Sequence, residues 1–178
     1  SACLVGSEMC IRDRARARLI AAGAGYSSDA YHIAHPAPDG AGVVAAISRA
    51  LADARVDPEQ VVHVNAHATS TPEGDALEAQ AVFKALGQAA EGVVVTSTKS
   101  MTGHLLGGAG AIESVAAILA LREHVAPPTI NLDDLDDDVP LDVATEPRPL
   151  SKRSGPMAAL NNAFGFGGHN VSLVFTAA

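Results

Sequence analysis

Short valine-rich runs alternate with longer helical stretches from Ala15 onward. The runs Val61–Asn65 and Val93–Ser97 predict buried strands, because apolar β-branched residues dominate both. Strands that alternate with helices are typical of βα units and of a parallel sheet. The sequence therefore predicts an α/β fold with a mixed, mostly parallel sheet and helices on both faces.

Two of the predicted helices have clear boundaries. Thr71 supplies an N-cap and Pro72 suits the first turn, while Gly87 suits the C-terminal cap of the same helix. The segment from Gly108 to about His124 is apolar nearly all round. We expect this second helix to lie inside the protein, because no side of it favours water.

The composition excludes several classes of function. Aromatic residues make up 3% of the 178 residues and the net charge is -8, which disfavours nucleic acids and anionic membrane surfaces as partners. No apolar run approaches the roughly 20 residues of a membrane span. Cys3 and Cys10 have no metal-ligand spacing, so we expect no zinc site, no disulfide scaffold and a cytoplasmic location.

The start of the chain differs from the rest. Residues 1–14 combine both cysteines with an arginine run that has no clear period. We expect residues 1–14 to be non-native or disordered, and residues 15–178 to form one domain.

Three polar segments follow predicted strands. They are Asn65–Asp75, Lys99–His104 and the glycine-rich turn Phe164–Gly168. Because parallel strands end at a common edge, we expect His67 and His104 to meet there. The segments together predict one composite site.

Most histidines in proteins are satisfied loop or core residues, and that interpretation suits five of the seven here. Lys99, His67 and His104 are different, because they lie on two loops at one predicted sheet edge. The five histidines expected to have no catalytic role are His32, His35, His63, His124 and His169.

The same three segments carry a family resemblance. Asn65-Ala-His-Ala-Thr-Ser-Thr-Pro-Glu-Gly-Asp75, Thr98-Lys-Ser-Met-Thr-Gly-His-Leu-Leu-Gly107 and Asn161-Asn-Ala-Phe-Gly-Phe-Gly-Gly-His-Asn170 resemble the C-terminal half of the β-ketoacyl-[acyl-carrier-protein] synthases of type II fatty acid synthesis. The resemblance runs from about Arg18 to Ala178. It implies a thiolase-like fold, a duplicated α/β architecture of which this chain is the second half.

The resemblance also implies catalytic roles. His67 and His104 resemble neutral donors that hold the malonyl thioester oxygen and stabilise the enolate formed on decarboxylation. Lys99 resembles the family lysine that sets the local electrostatics, with Glu113 as its buried partner. Because a nearby ammonium disfavours an imidazolium, Lys99 is expected to keep His104 neutral.

Further residues are implied to bind substrate. Thr69 and Thr71 match hydroxyls that bind the phosphopantetheine arm, and in an extended segment both would face the same side. Phe166 matches a gating residue whose N–H contributes to an oxyanion hole, and its turn also contains Phe164, Gly165, Gly167 and Gly168. A structural cation site is implied at Asn65, Glu113, Asn161 and Asn162.

The family forms its acyl-enzyme on a cysteine of the N-terminal half, and neither Cys3 nor Cys10 has a suitable context. We therefore expect this chain to be a fragment that is inactive alone. The resemblance implies acyl carrier protein and acyl and malonyl thioesters as partners, a homodimer in the full-length form, and no cofactor beyond the carrier's phosphopantetheine.

Three alternatives compete with this interpretation. A chain-length-factor subunit has the same fold, but such subunits usually lose the histidines. A polyketide ketosynthase more typically has Glu-Ala-His-Gly-Thr-Gly-Thr where this chain has Asn65-Ala-His-Ala-Thr-Ser-Thr71. A non-catalytic binding or structural protein would leave the three motifs unexplained.

Overall fold

The computed structural model describes residues 19–137, 139–151 and 155–177. The expected boundary at residue 14, with both cysteines, lies outside these ranges. The helices are Ala41–Ala54 (α1), Pro72–Leu86 (α2), Lys99–Thr102 (α3) and Ala109–Glu123 (α4). The strands are Leu19–Ser28 (β1), Val61–Asn65 (β2), Val94–Thr96 (β3), Val125–Ala126 (β4), Asp142–Val143 (β5), Arg148–Pro149 (β6), Ala158–Gly165 (β7) and His169–Ala177 (β8).

Six strands form one mixed sheet in the order β1-β8-β7-β2-β3-β5. The pairs β7–β2, β2–β3 and β3–β5 are parallel, whereas β1–β8 and β8–β7 are antiparallel. The expected mixed, mostly parallel sheet is therefore correct by number of pairs. The antiparallel pairs are the longer ones, and a tight turn joins β7 directly to β8.

Helices cover both faces of the sheet, as expected. Alternate residues of the central strands point to opposite faces, so Leu160 packs with the α1 and α2 side while Ala159 packs with the α4 side. Ile47 of α1 and Val82 of α2 are fully buried in the first core. Leu121 of α4 belongs to the second.

The expectation that the apolar helix lies inside the protein is wrong for this chain. Helix α4 buries Ala117, Ala120 and Leu121 against the sheet. Its other side stays open: Ile112, Val115 and Leu119 are 40%, 48% and 39% exposed. A single sheet face can cover only one side of a helix, so apolar residues all round do not ensure burial here.

The predicted ends of α2 are confirmed. Thr71 is the N-cap residue, Pro72 occupies the first turn, and Gly87 caps the C-terminus with φ 57°. Thr71 makes no side-chain capping hydrogen bond, so its backbone conformation alone begins the helix. In the described part of the chain, no helix is long and apolar enough to cross a membrane.

Candidate active site

The three polar segments meet at the carboxyl edge of β2 and β3, as the sequence predicted. His67 follows the end of β2, and His104 follows β3 after the short helix α3. The turn 166–168 joins β7 to β8 beside them. A cavity of about 940 Å³ opens at this edge. Its lining includes His67, Thr69, Thr71, His104, Phe164 and Phe166.

The imidazole rings of His67 and His104 are in contact. Their centroids lie 5.6 Å apart with an interplanar angle of 86°, which is an edge-to-face arrangement. The ring of Phe164 lies 5.5 Å from that of His67 on another side. Two imidazoles therefore share one wall of the cavity.

A hydrogen bond sets the tautomer of His104. Its Nδ1 accepts the backbone N–H of Leu106 at 3.2 Å. A ring nitrogen that accepts carries no proton, so in the neutral ring the proton lies on Nε2. His104 therefore has an Nε2–H available as a hydrogen-bond donor.

The environment of His67 favours its neutral form. Burial, the Lys99 ammonium and His104 together lower the pKa of His67 to about 3, with burial the largest cause. The sequence predicted an effect of Lys99 at His104 and did not predict the one at His67. His67 is thus a neutral imidazole at physiological pH.

Lys99 and Glu113 form the expected buried pair. Lys99 Nζ lies 2.6 Å from Glu113 Oε1, and the two side chains are 5% and 0% exposed. Neither carboxylate oxygen of Glu113 has a well-aligned hydrogen-bond donor among the described residues. The contact is therefore chiefly Coulombic, and it holds a positive charge close to His67.

A carboxylate that the sequence analysis did not single out, Glu78 of α2, holds the backbone of the His67 loop. It is 3% exposed and accepts the N–H groups of His67 and Ala68 at 2.9 and 2.8 Å. Burial raises the pKa of Glu78, and these hydrogen bonds oppose the shift. The sequence does contain a signal for this role, because Glu78 lies one helical turn before Val82 on the buried face of α2. A carboxylate on an apolar helix face needs hydrogen-bond partners, so this position indicates a buried polar contact.

Thr69 and Thr71 face each other, but not in the extended segment that was expected. Their hydroxyl oxygens lie 3.2 Å apart. Between them Ser70 adopts φ 62°, and Asp75 accepts the N–H groups of Ser70 and Thr71 at 3.2 and 3.4 Å. A turn held by a carboxylate therefore brings the two hydroxyls together.

The glycine-rich turn reaches the cavity and is held by the segment that follows β1. Phe166 is 80% exposed. The N–H of Gly167 donates to Ile33 O at 2.8 Å, and the N–H of Asp29 donates to Gly168 O at 2.9 Å. The segment after β1 therefore holds the turn that carries Phe166.

The side chains of the implied cation site do not all lie on one face of the sheet. Asn65 donates to Asn161 at 2.9 Å, whereas Asn162 is on the opposite face of β7 and donates to Glu78 at 3.1 Å. Glu113 contacts Lys99. Over the described ranges, no group of three or more His, Cys, Asp or Glu side chains could hold a metal ion.

The chemistry of this site is polar stabilisation by ring N–H groups. Imidazole N–H groups beside a cavity can donate to an oxygen on which negative charge develops, and preorganised donors of this kind are usually the largest source of such stabilisation. The described ranges contain no cysteine, so a cysteine nucleophile is not among them.

Comparison with known proteins identifies the family. The model of the beta-ketoacyl synthase C-terminal domain matches residues 19–133. The chain is 52% identical over 148 residues to the 3-oxoacyl-[acyl-carrier-protein] synthase 2 of Synechocystis sp., covering 83% of this chain and 35% of the relative. It is 44% identical over 179 residues to the protein of the same name in Coxiella burnetii, covering 99% and 42%. The chain thus spans less than half the length of these relatives.

Solved structures agree with the expected thiolase-like ketosynthase fold. One is a ketosynthase in complex with its type II polyketide-synthase acyl-carrier protein, with a TM-score of 0.87 and 34% identity over 96% of this chain and 41% of that one. Another is a beta-ketoacyl synthase from Burkholderia phymatum, with a TM-score of 0.82 and 33% identity over 96% and 40%. The chain belongs to the beta-ketoacyl synthase family and carries its C-terminal domain.

Proposed function

We propose that the protein containing this chain is a 3-oxoacyl-[acyl-carrier-protein] synthase, which condenses malonyl thioesters with an acyl-enzyme in fatty acid elongation. The observation that carries the proposal is the pair of imidazoles, His67 and His104, edge to face on the cavity wall. The names of the two relatives support it.

The two imidazoles act on the malonyl thioester. The bond between the malonyl carboxylate and its α-carbon breaks, carbon dioxide leaves, and the electron pair becomes an enolate on the thioester oxygen. His67 and His104 donate to that oxygen, and a preorganised donor at such a point contributes roughly 3 to 4 kcal/mol. A pKa of about 3 keeps His67 neutral for this role.

The enolate carbon then attacks the carbonyl of an acyl group held as a thioester on a cysteine outside residues 19–177. The new carbon–carbon bond forms, the carbon–sulfur bond of the thioester breaks, and its electron pair leaves with the cysteine as a thiolate. Phe166 gates this step, and the N–H of its turn contributes to the oxyanion hole for the acyl carbonyl.

The substrates arrive on acyl carrier protein. Thr69 and Thr71 hydrogen-bond the phosphopantetheine arm, since their hydroxyls face one another at the cavity wall. The complete protein is a cytoplasmic homodimer and uses no cofactor beyond the carrier's prosthetic arm. Lys99, paired with Glu113, supplies the fixed positive charge behind the histidines.

A polyketide ketosynthase is the second candidate. The similarity to the ketosynthase in complex with its type II polyketide-synthase carrier protein favours it, with a TM-score of 0.87. The identity to that structure is 34%, whereas the synthase 2 relative of Synechocystis is 52% identical. Fatty acid elongation is therefore the better-supported activity.

The test uses the complete protein, meaning the full reading frame that contains this chain. Malonyl-acyl carrier protein labelled in its free carboxyl is supplied with saturated acyl-carrier primers or with poly-β-keto thioesters. We expect labelled carbon dioxide and a product two carbons longer with the saturated primers. Extension of the poly-β-keto primers alone would select the polyketide activity, and release of no carbon dioxide with any primer would overturn both.

A further inference from the structure

Three donors converge on one buried carboxylate. Glu78 Oε1 accepts the N–H of His67 at 2.9 Å and the side-chain amide of Asn162 at 3.1 Å. Its Oε2 accepts the N–H of Ala68 at 2.8 Å. All three contacts are made to a side chain that is 3% exposed, so water cannot substitute for any partner.

These hydrogen bonds continue into the β7–β8 hairpin. Ser172 on β8 donates from its hydroxyl to Asn162 Oδ1 at 2.8 Å. Ser172 and Asn162 are fully buried and face each other across the strand pair. The contacts therefore form a continuous chain, Ser172–Asn162–Glu78, that ends on the backbone of the His67 loop.

A carboxylate is the only common side chain that suits this position. Its two oxygens accept up to four hydrogen bonds and donate none when ionised. A glutamine has only one accepting oxygen, and its other terminal group is an NH2 donor. In either orientation of the amide, the N–H of His67 or that of Ala68 would therefore face the NH2 group. The arrangement thus depends on the two accepting oxygens of Glu78 and not only on its shape.

We propose that Glu78 is the positioning residue for His67: by holding the N–H groups of His67 and Ala68 it fixes the backbone that aims the imidazole at His104 and at the substrate oxygen. This inference rests on the condensation proposed above. Asn162 and Ser172 orient the carboxylate, so that the hairpin carrying Phe166 and the loop carrying His67 share one buried support.

The first variant is Glu78→Gln in the complete protein. Its labelled carbon dioxide release is expected to fall about 100-fold, since a displacement near 1 Å of a catalytic group costs on that order. Transfer of the acyl primer onto the enzyme's cysteine is expected to stay within about twofold of the parent, because that step does not use His67. Glu91→Gln makes the same charge change at an exposed position and is expected to alter neither rate.

A double variant separates the contact of Glu78 with the His67 loop from its contact with Asn162. Glu78→Gln with Asn162→Asp restores an amide–carboxylate contact and keeps the Ser172 donor, yet it still leaves one backbone N–H facing an NH2. We expect decarboxylation to stay low in it. Full recovery would overturn the proposal. Ser172→Ala, which keeps the carboxylate, is the milder variant and is expected to lose only a few-fold of the decarboxylation rate.

Amide hydrogen exchange gives a readout that does not need activity. The His67 and Ala68 amides are expected to exchange faster in Glu78→Gln than in the parent, and unchanged in Glu91→Gln. Unchanged exchange, or an equal loss of acyl transfer and decarboxylation, would overturn positioning. If the parent itself releases no carbon dioxide, the proposed function fails, while the exchange rates still decide whether Glu78 holds His67.

Discussion

Lys99 and Glu113 bring opposite charges within 2.6 Å in a place where both side chains are buried. Lys99 begins the short helix α3, and Glu113 lies in the second turn of α4. The pair therefore joins the loop that carries His104 to the helix beneath it. It also keeps a positive charge where it lowers the pKa of His67.

Breaking this pair from one side should be costly. Glu113→Gln leaves Lys99 buried without its counter-charge, and we expect a loss of about 3 to 5 kcal/mol in the free energy of unfolding. Lys99→Met combined with Glu113→Leu should lose less, since no charge remains buried. Denaturant unfolding of the complete protein measures both. A double variant less stable than Glu113→Gln would contradict the prediction.

Each imidazole should be needed for decarboxylation. We expect His67→Ala and His104→Ala to lower the release of carbon dioxide by about 100- to 1,000-fold, because each removes one preorganised donor. His124→Asn is the matched control, since His124 is exposed and caps α4 with φ 55°, a conformation that asparagine tolerates. Full activity in either alanine variant would refute a donor role for that histidine.

The protonation of His67 can be followed directly. Its pKa of about 3 predicts that nitrogen-15 spectra of the ring show a neutral imidazole down to about pH 4. Lys99→Met removes one of the charges that lower this pKa, so the midpoint should move upward while staying below 6.5, because burial is the larger cause. A midpoint near 6.5 in the parent would show that His67 is not desolvated.

Stability should depend on pH through His63. Burial lowers the pKa of His63 to about 4 from 6.5, and its Nε2 lies 2.8 Å from Thr96 Oγ1. Between these values the unfolded chain binds a proton that the folded chain does not, so stability is complete above pH 6.5 and declines as the pH falls to 4. The expected loss is about 3 kcal/mol.

The variant that checks this contribution is His63→Gln, which keeps a polar group near Thr96 but does not titrate. Urea unfolding at pH 7 and pH 4.5 should show a smaller change in the free energy of unfolding for the variant than for the parent. An equal change in both proteins would assign the pH dependence to other groups.

Two glycines in the Phe166 turn provide a matched pair. Gly167 and Gly168 have φ 79° and 73°, so alanine is strained at either. A Cβ on Gly168 would also lie 2.8 Å from Asp29 Cβ, whereas one on Gly167 would meet only the His169 ring at 3.4 Å. We expect Gly168→Ala to lower the melting temperature more than Gly167→Ala. Equal effects would show that the contact with Asp29 relaxes freely.

Local signals in the sequence were enough for several elements. Strand β2 has the predicted bounds Val61–Asn65, and α2 begins and ends at the predicted proline and glycine. These features depend on neighbouring residues, whose spacing and backbone preferences are visible in one dimension. Strand β1 is rich in glycine and alanine and therefore lacks the β-branched pattern that indicates a strand. Its glycines are required by the packing instead, because they allow the close approach of α1.

The sequence was enough to predict which loops form the composite site. That His67 and His104 would meet followed from their places after parallel strands, and the structure confirms the contact. The effect of Lys99 on His67, the turn at Ser70 and the role of Glu78 were not predictable in the same way. Each depends on which atoms approach within a few ångströms after packing.

The sequence by itself determined the α/β class, the main strand and helix positions and the family, because these depend on periodicity and on motifs of adjacent residues. Only the tertiary structure decided which side of α4 is covered, and only it joined Asn162 to Glu78, residues 84 positions apart. Burial and hydrogen bonding are properties of the folded surroundings, and the same side chain has either environment depending on what packs against it.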